Sequence, residues 1–266
     1  PQGMSAGAAP CGDDMLGYER SRTRFVVGAG LRLDEAYRLA HLPLVAPGHP
    51  RVIAREEGAP YEMGRRAPVV SLVLHVAWED LAASPAFKAL EAELRAAPFA
   101  RKIAWAASEA RRDRLHATIC GSMAPGREAP ALTEAQRAAL EGLEGVEVEL
   151  RGAFSGNVNL GRLYLRAYPE RRGGENLFVV IQRVFGRAPG DLHVVGMWNL
   201  VDDLDARETE ALAAIIDAWW RRPILRLRAE RLRFLWSCDD LALDGGFDGD
   251  VALTRCRAPF SPATCA

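Results

Sequence analysis

Two short apolar stretches, each carrying one histidine, constrain this chain more than any other feature. The first is Leu115-His116-Ala117-Thr118-Ile119-Cys120, entered from the charged segment Arg111-Arg112-Asp113-Arg114; the second is Leu192-His193-Val194-Val195-Gly196-Met197-Trp198. Side chains alternate along a strand, so His116 and Thr118 share one face while Leu115, Ala117 and Ile119 take the other. The first stretch thus presents an imidazole and a hydroxyl together. The second keeps the histidine and has Val195 where the hydroxyl would stand. Around each stretch the order strand, helix, histidine-bearing strand, helix, strand recurs. A supersecondary unit used twice predicts an internal pseudo-two-fold with both histidine strands near its axis.

The 266 residues are 49% hydrophobic and 26% charged, with a formal net charge of −1. That composition suits one globular domain or two small lobes and provides no general pull towards nucleic acid, so any such contact has to be local. No apolar run approaches the roughly 18 residues of a membrane span. Pro1 to Asp14 lacks the basic and apolar regions of a signal peptide, and Pro1-Gln2-Gly3 ahead of Met4 reads as a cloning remnant. Cys11, Cys120, Cys238, Cys256 and Cys265 are odd in number, scattered and without a CxxC pair. They read as free thiols of a cytoplasmic protein, with no spacing for a zinc site.

Along the chain, residues 1–22 are expected to be loosely held. Arg24 to Leu33 suggests a strand with a glycine turn; its Gly28-Ala29-Gly30 lacks the further spacing of a phosphate loop. Asp34 to Leu42 suggests a short helix capped by Asp34, and the proline-rich stretch from Pro43 to Pro68 an irregular connection. Val69 to Val76 predicts a buried strand and Ser84-Pro85 a helix start, with Phe87, Leu90 and Leu94 on its apolar stripe. Ile103-Ala104-Trp105 suggests the next strand. Thr133 with Gln136 forms a capping box, and Val146 to Phe154 and Leu160 to Ala167 predict a hairpin. Glu175 to Phe185 and Asp205 to Trp220 read as helices, Leu225 to Leu227 and Leu232 to Trp236 as strands. Divided this way, the chain has an N-terminal extension (1–68), a bilobal domain (69–243) and a tail (244–266).

His116-Ala117-Thr118 and His193-Val194-Val195, each on a predicted strand in one of two similar halves, resemble the paired His-x-Thr/Ser motifs of the 2H phosphoesterase superfamily. That group includes the 2′-5′ RNA ligase-like proteins and cyclic phosphodiesterases. The resemblance covers residues 69–243, and the second motif departs from it at Val195. It implies an α+β fold of two pseudo-symmetric lobes, each an antiparallel sheet packed with helices, facing a central cleft. It also implies metal-independent, cofactor-free phosphodiester chemistry on RNA ends or small nucleotides, such as a 2′,3′-cyclic phosphate or a 2′-5′ linkage. His116 and His193 would then be the acid–base pair and Thr118 a phosphate ligand.

The chemistry is consistent with histidine, whose ordinary pKa near 6.5 makes both protonation states available. Losing one hydroxyl donor at Val195 costs on the order of 10²-fold in rate unless another group replaces it. Arg151, Arg162 and Arg166 on the predicted hairpin are candidates, since guanidinium forks match phosphate oxygens. Tyr164 and Trp198 are candidates for stacking on a base. His75 reads as structural, and His41 and His49 have no visible partner. A binding module of the same fold, holding a nucleotide or RNA end without catalysis, is the alternative; an unrelated α+β scaffold is the third reading. The two histidines separate these, because both of the first two readings require His116 and His193 to face one cleft. No membrane contact and no obligate protein partner is implied.

Overall fold

The computed structural model describes residues 9–255. In chain order it contains β1 (Ala9–Pro10), α1 (Tyr18–Ser21), α2 (Glu35–Ala40), α3 (Leu42–Val45), β2 (Arg65–His75), α4 (Trp78–Ala83), α5 (Pro85–Ala96), α6 (Trp105–Ala110) and β3 (His116–Pro125). There follow α7 (Glu134–Glu141), β4 (Val146–Phe154), β5 (Arg162–Arg172), β6 (Glu175–Asn176), α8 (Leu177–Val184), β7 (Val194–Asn199), α9 (Ala206–Trp219), β8 (Pro223–Ala229), β9 (Arg231–Asp239) and β10 (Gly245–Ala252).

The strands form one antiparallel sheet in the order β10-β9-β2-β3-β7-β5-β4-β8, with β1 and β6 added on β5. The last strand in that order, β8, is joined to β9 at the other end through Glu230 alone, so the sheet must curl to bring its ends together. The fold is therefore α+β. At its centre, β3 and β7 share a single register pair, Ala117↔Val195, whereas β2–β3 and β5–β7 pair over several residues. The seam between the two four-stranded halves is held instead by side chains. Gln182 of α8 donates through Nε2 to the Ile119 carbonyl at 2.9 Å and accepts from the Gly190 amide.

Alternation decides the two faces. Leu72, Leu74, Ala117, Ile119, Leu163, Leu165, Val195 and Met197 are buried, and helices α5, α6, α8 and α9 pack against the strands that carry such residues. Ser84 caps α5 by accepting from the Phe87 amide at 3.1 Å, and Phe87, Leu90 and Leu94 are buried as their spacing predicts. Thr133–Gln136 and Asp205–Glu208 both close reciprocal capping boxes.

Three expectations differ from what is observed. Ile103 makes one isolated bridge, to Leu200, and Trp105 opens helix α6: the short apolar run is followed by Ala- and Glu-rich helix formers that outweigh it. Arg24 to Leu33 is turn and irregular chain, with Gly28 at φ +76 and only Leu31 bridging to Leu204. Residues 9–22 are docked, not loose: Cys11, Leu16 and Tyr18 are buried, and the Tyr18 hydroxyl donates to the Ala167 and His193 carbonyls at 2.5 and 2.7 Å. The tail supplies edge strand β10. Cys11, Cys120 and Cys238 are free and buried; Cys256 and Cys265 lie outside the described residues. Among the described residues, no helix is long and apolar enough to cross a membrane.

Candidate functional site

On the face of the sheet that carries His116, a polar pocket of about 220 Å³ opens between β2, β3, β9 and the start of β5. His116 and Thr118 reach it from β3, Ser71 from β2, Ser237 and Asp239 from β9, and Asn159 and Arg162 from the β4–β5 turn and the start of β5. His41 enters from the end of α2 and Arg66 from the start of β2.

Nδ1 of His116 lies 2.7 Å from the Arg114 carbonyl, which can only accept, so Nδ1 carries the proton and Nε2 the lone pair. Burial pushes the His116 pKa down to about 4; the Arg114 carbonyl opposes the shift, and the Arg162 and Arg111 charges reinforce it. His116 is therefore a neutral imidazole at pH 7, tethered in one tautomer.

The charges around it are unevenly compensated. Asp239 spends its oxygens on the amides of Leu241, Leu243 and Asp244, at 2.8, 3.0 and 2.8 Å. Asp240 accepts from the Tyr61 hydroxyl at 2.5 Å and from Arg66 Nε at 3.1 Å. Arg162 and Arg111, by contrast, have no carboxylate within ion-pair distance among the described residues. Arg111 is buried behind the pocket, donating to the Leu241 carbonyl at 3.2 Å, and burial with the repulsion of Arg162 lowers its pKa to about 9, which leaves it charged. Arg162 lies along β7 over Gly196, where any side chain would collide with its guanidinium; its own ring neighbour is Tyr164, 5.2 Å from ring centroid to Cζ.

Eight buried side-chain nitrogens lack a hydrogen-bond partner among the described residues, and five of them belong to His41, Arg111, Arg162 and Asn199. Buried polar atoms are nearly always satisfied, so these nitrogens are exceptional; those of His41 and Arg162 belong to residues that line the pocket. Two larger depressions, of about 510 and 410 Å³, lie elsewhere. The arginines lining the larger one, Arg228, Arg231 and Arg233, are each paired with Glu147 or Asp250, so it has no uncompensated cation.

His193 is not in this pocket. It precedes β7 and has the parity of Val195, which pairs with Ala117, so its ring points to the helix-covered face, opposite to His116. There its Nδ1 faces the Thr118 carbonyl at 3.4 Å, its Nε2 the Gly190 carbonyl at 3.2 Å, and its ring meets Phe178 edge-on at 4.9 Å. Burial lowers its pKa. The expectation that both histidines face one cleft is thus corrected: a one-residue difference in parity places them on opposite sides of the sheet. The two-histidine mechanism and the binding module built on the same pair both fail, and His116 stands in its pocket without His193.

The remaining predicted residues divide in the same way. Arg166 is fully buried, donating to the Tyr168 hydroxyl at 2.6 Å and to the Gly152 and Trp220 carbonyls. Arg151 pairs with Glu149 at 2.7 Å and covers Tyr168. Trp198 is stacked on Phe87 in the core at 6.0 Å, and Tyr164 is buried beside Arg162 and Phe154. Sequence reasoning did not single out Arg111, Arg66, Ser71, Asn159, Ser237 or His41 for the site. None has a local motif, and only the alternation of Ser71 along β2 and Ser237 along β9 signals an inward polar position.

Comparison with models of protein families, with curated proteins and with solved structures gave no match. Among the described residues, no group of three or more His, Cys, Asp or Glu is placed to hold a metal ion.

Proposed function

We propose that this chain binds the phosphate group of a nucleotide or RNA end in the pocket around His116. The observation that carries the reading is Arg162, a pocket-lining guanidinium with no carboxylate within ion-pair distance among the described residues, beside the unpaired ring nitrogens of His41. Asp239 and Asp240 in the same lining are taken up by backbone amides, Tyr61 and Arg66. A phosphate offers the acceptors such donors lack, and buried charge-assisted bonds to it are stronger than neutral ones. Thr118, Ser71 and Ser237 add hydroxyls around the same space. The volume is below the usual range of roughly 300–1,000 Å³ for small-molecule sites, which fits a phosphate with part of a sugar and leaves the base outside.

A second reading, phosphodiester cleavage that uses His116 without His193 and is therefore not the two-histidine mechanism, is favoured by the tether on His116 Nδ1, which leaves Nε2 of a pocket-lining imidazole free as a proton acceptor. On a 2′,3′-cyclic phosphate, His116 would take one proton of the attacking water as the new P–O bond forms and the P–O bond to one ribose oxygen breaks. That oxygen takes a proton from solvent and His116 returns its own to solvent, so that one water is added overall. In this reading the halves β10-β9-β2-β3 and β7-β5-β4-β8 are the two pseudo-symmetric lobes, but His193 has no part in the chemistry.

The test is incubation of the protein with adenosine 2′,3′-cyclic monophosphate in EDTA, with product analysis and, in parallel, calorimetric titration with adenosine 3′-monophosphate. Binding without turnover supports the first reading alone, and turnover lost in His116→Gln supports both. The absence of both binding and turnover overturns the phosphate assignment.

A further inference from the structure

Of the five histidines in the chain, four have their ring nitrogens accounted for or turned away from the pocket. His116 is tethered to Arg114 and His193 lies between two carbonyls. His75 faces the Asp113 carbonyl at 3.1 Å, and His49 faces Asp202 at 3.0 Å. His41 is different. It is completely buried, it borders the pocket, and neither Nδ1 nor Nε2 has a partner.

Its placement is built, not incidental. Asp34 caps α2 by accepting from the Tyr37 amide at 2.8 Å, and its second oxygen accepts from the Leu160 amide at 3.0 Å, fastening the helix to the turn before β5. Tyr37 donates to the Leu200 carbonyl at 2.5 Å, and its ring lies parallel to the His41 imidazole at 5.2 Å and 4°. Gly161, at φ +121, leaves room for Leu33 and Tyr37 where a side chain would collide with both. The imidazole is thus held at the end of α2 by contacts that fix its plane but satisfy neither nitrogen. Burial, with the charges of Arg162 and Arg111, keeps it neutral. A neutral imidazole has one N–H and one lone pair, and a phosphate ester carrying a proton or an adjacent ribose hydroxyl complements both.

We infer that His41 is the second imidazole that contacts the ligand, so that the segment ahead of β2 completes the site. This rests on the phosphate reading above and adds to it the residue from outside the two histidine strands. An anion placed between His41 and the two arginines offsets the positive field, so the ligand raises the ring's pKa from its depressed value, and proton uptake on binding falls when the ring nitrogens are removed.

The test is calorimetric titration of the full chain with adenosine 3′-monophosphate at pH 7 in two buffers of different ionisation heat. Wild type, His116→Gln and His41→Phe are compared; phenylalanine keeps the stacking on Tyr37 and removes both nitrogens. The expected result is a loss of tenfold or more in affinity in His41→Phe and a smaller proton uptake than wild type. Should His41→Phe fail to fold, the ring nitrogens of ¹⁵N-histidine wild type are followed during the same titration, and two shifting imidazoles support the inference. Wild-type binding with unchanged affinity and uptake in His41→Phe, or with the His116 ring alone shifting, overturns the role of His41 and leaves the phosphate reading intact. No wild-type binding overturns that reading, and this inference with it.

Discussion

His116 and His193 begin neighbouring strands with similar local sequences, yet their environments have little in common. One ring is tethered at Nδ1 and borders a polar pocket in which Arg162 has no carboxylate within ion-pair distance among the described residues. The other is clamped between the Thr118 and Gly190 carbonyls beneath Phe178. Parity explains the contrast. Across the single pair Ala117↔Val195, positions 116 and 118 face the pocket from β3, and positions 194 and 196 face it from β7. What β7 contributes there is Gly196, an absence of side chain that gives Arg162 its room. What His193 contributes is packing: its ring fills the space between Phe178 and the Thr118 and Gly190 carbonyls, to one of which its single N–H donates. Gln182 ties the Ile119 carbonyl of β3 across a seam where the backbone ladder is one pair long. Histidine on an apolar strand can therefore end in a polar pocket or in the core, and the deciding fact is which face it occupies.

Five experiments break or sharpen this contrast, ordered by expected effect. If the cleavage reading holds, His116→Gln lowers turnover of a cyclic phosphate by about 10²–10⁴-fold with little change in melting temperature; an unaltered rate removes His116 from the chemistry. Arg162→Met is expected to weaken phosphate binding or turnover by about 10²-fold, the scale of losing one buried charged donor. Retained affinity in that variant would show that Arg162 is not the anion ligand. His193→Gln moves the opposite quantity, lowering unfolding free energy in urea by about 1–3 kcal/mol through its lost packing and carbonyl contacts. Binding in that variant should persist, and a selective loss of turnover without loss of stability would restore His193 to the mechanism.

Val195→Thr restores the motif's hydroxyl on paper. Because position 195 is fully buried on the apolar face, that change should give no rate gain and cost about 1–3 kcal/mol for an unpaired hydroxyl. A gain in turnover of a cyclic phosphate would contradict the parity argument. The smallest effect is the pH dependence of stability. His41, His116 and His193 all have folded pKa values below the ordinary 6.5, so the unfolded chain binds more protons just below that pH. Their contribution is complete above about pH 6.5 and is lost as pH falls towards 4. Bound phosphate, by raising the pocket imidazoles, should flatten this decline; melting curves from pH 7 to 4.5, with and without phosphate, measure both.

The elements themselves were written locally. Caps at Asp34, Ser84, Thr133 and Asp205, the β-branched run at Val69–Val76 and the alternating hairpin strands specify helices and strands through hydrogen bonds and side-chain period, which act over a few residues. The same alternation placed His116 and Thr118 on one face, where they lie. It could not say which face of β7 meets that one, because relative parity is set by the single contact Ala117↔Val195 between residues far apart in sequence. Nor could it distinguish Arg162 in the pocket from Arg166 and Arg151, which share its strand or its hairpin but end among Tyr168, Trp220 and Glu149. His41 and Arg111 had no local signal at all. Their approach to His116 depends on α2 being fastened to the β5 entry by Asp34 and Tyr37, and on the buried side chain of Arg111 reaching Leu241. Sequence determined the period, caps and polarity of each segment, since these are short-range. Tertiary structure alone decided which polar residues met, since register and curl of the sheet are properties of contacts between segments.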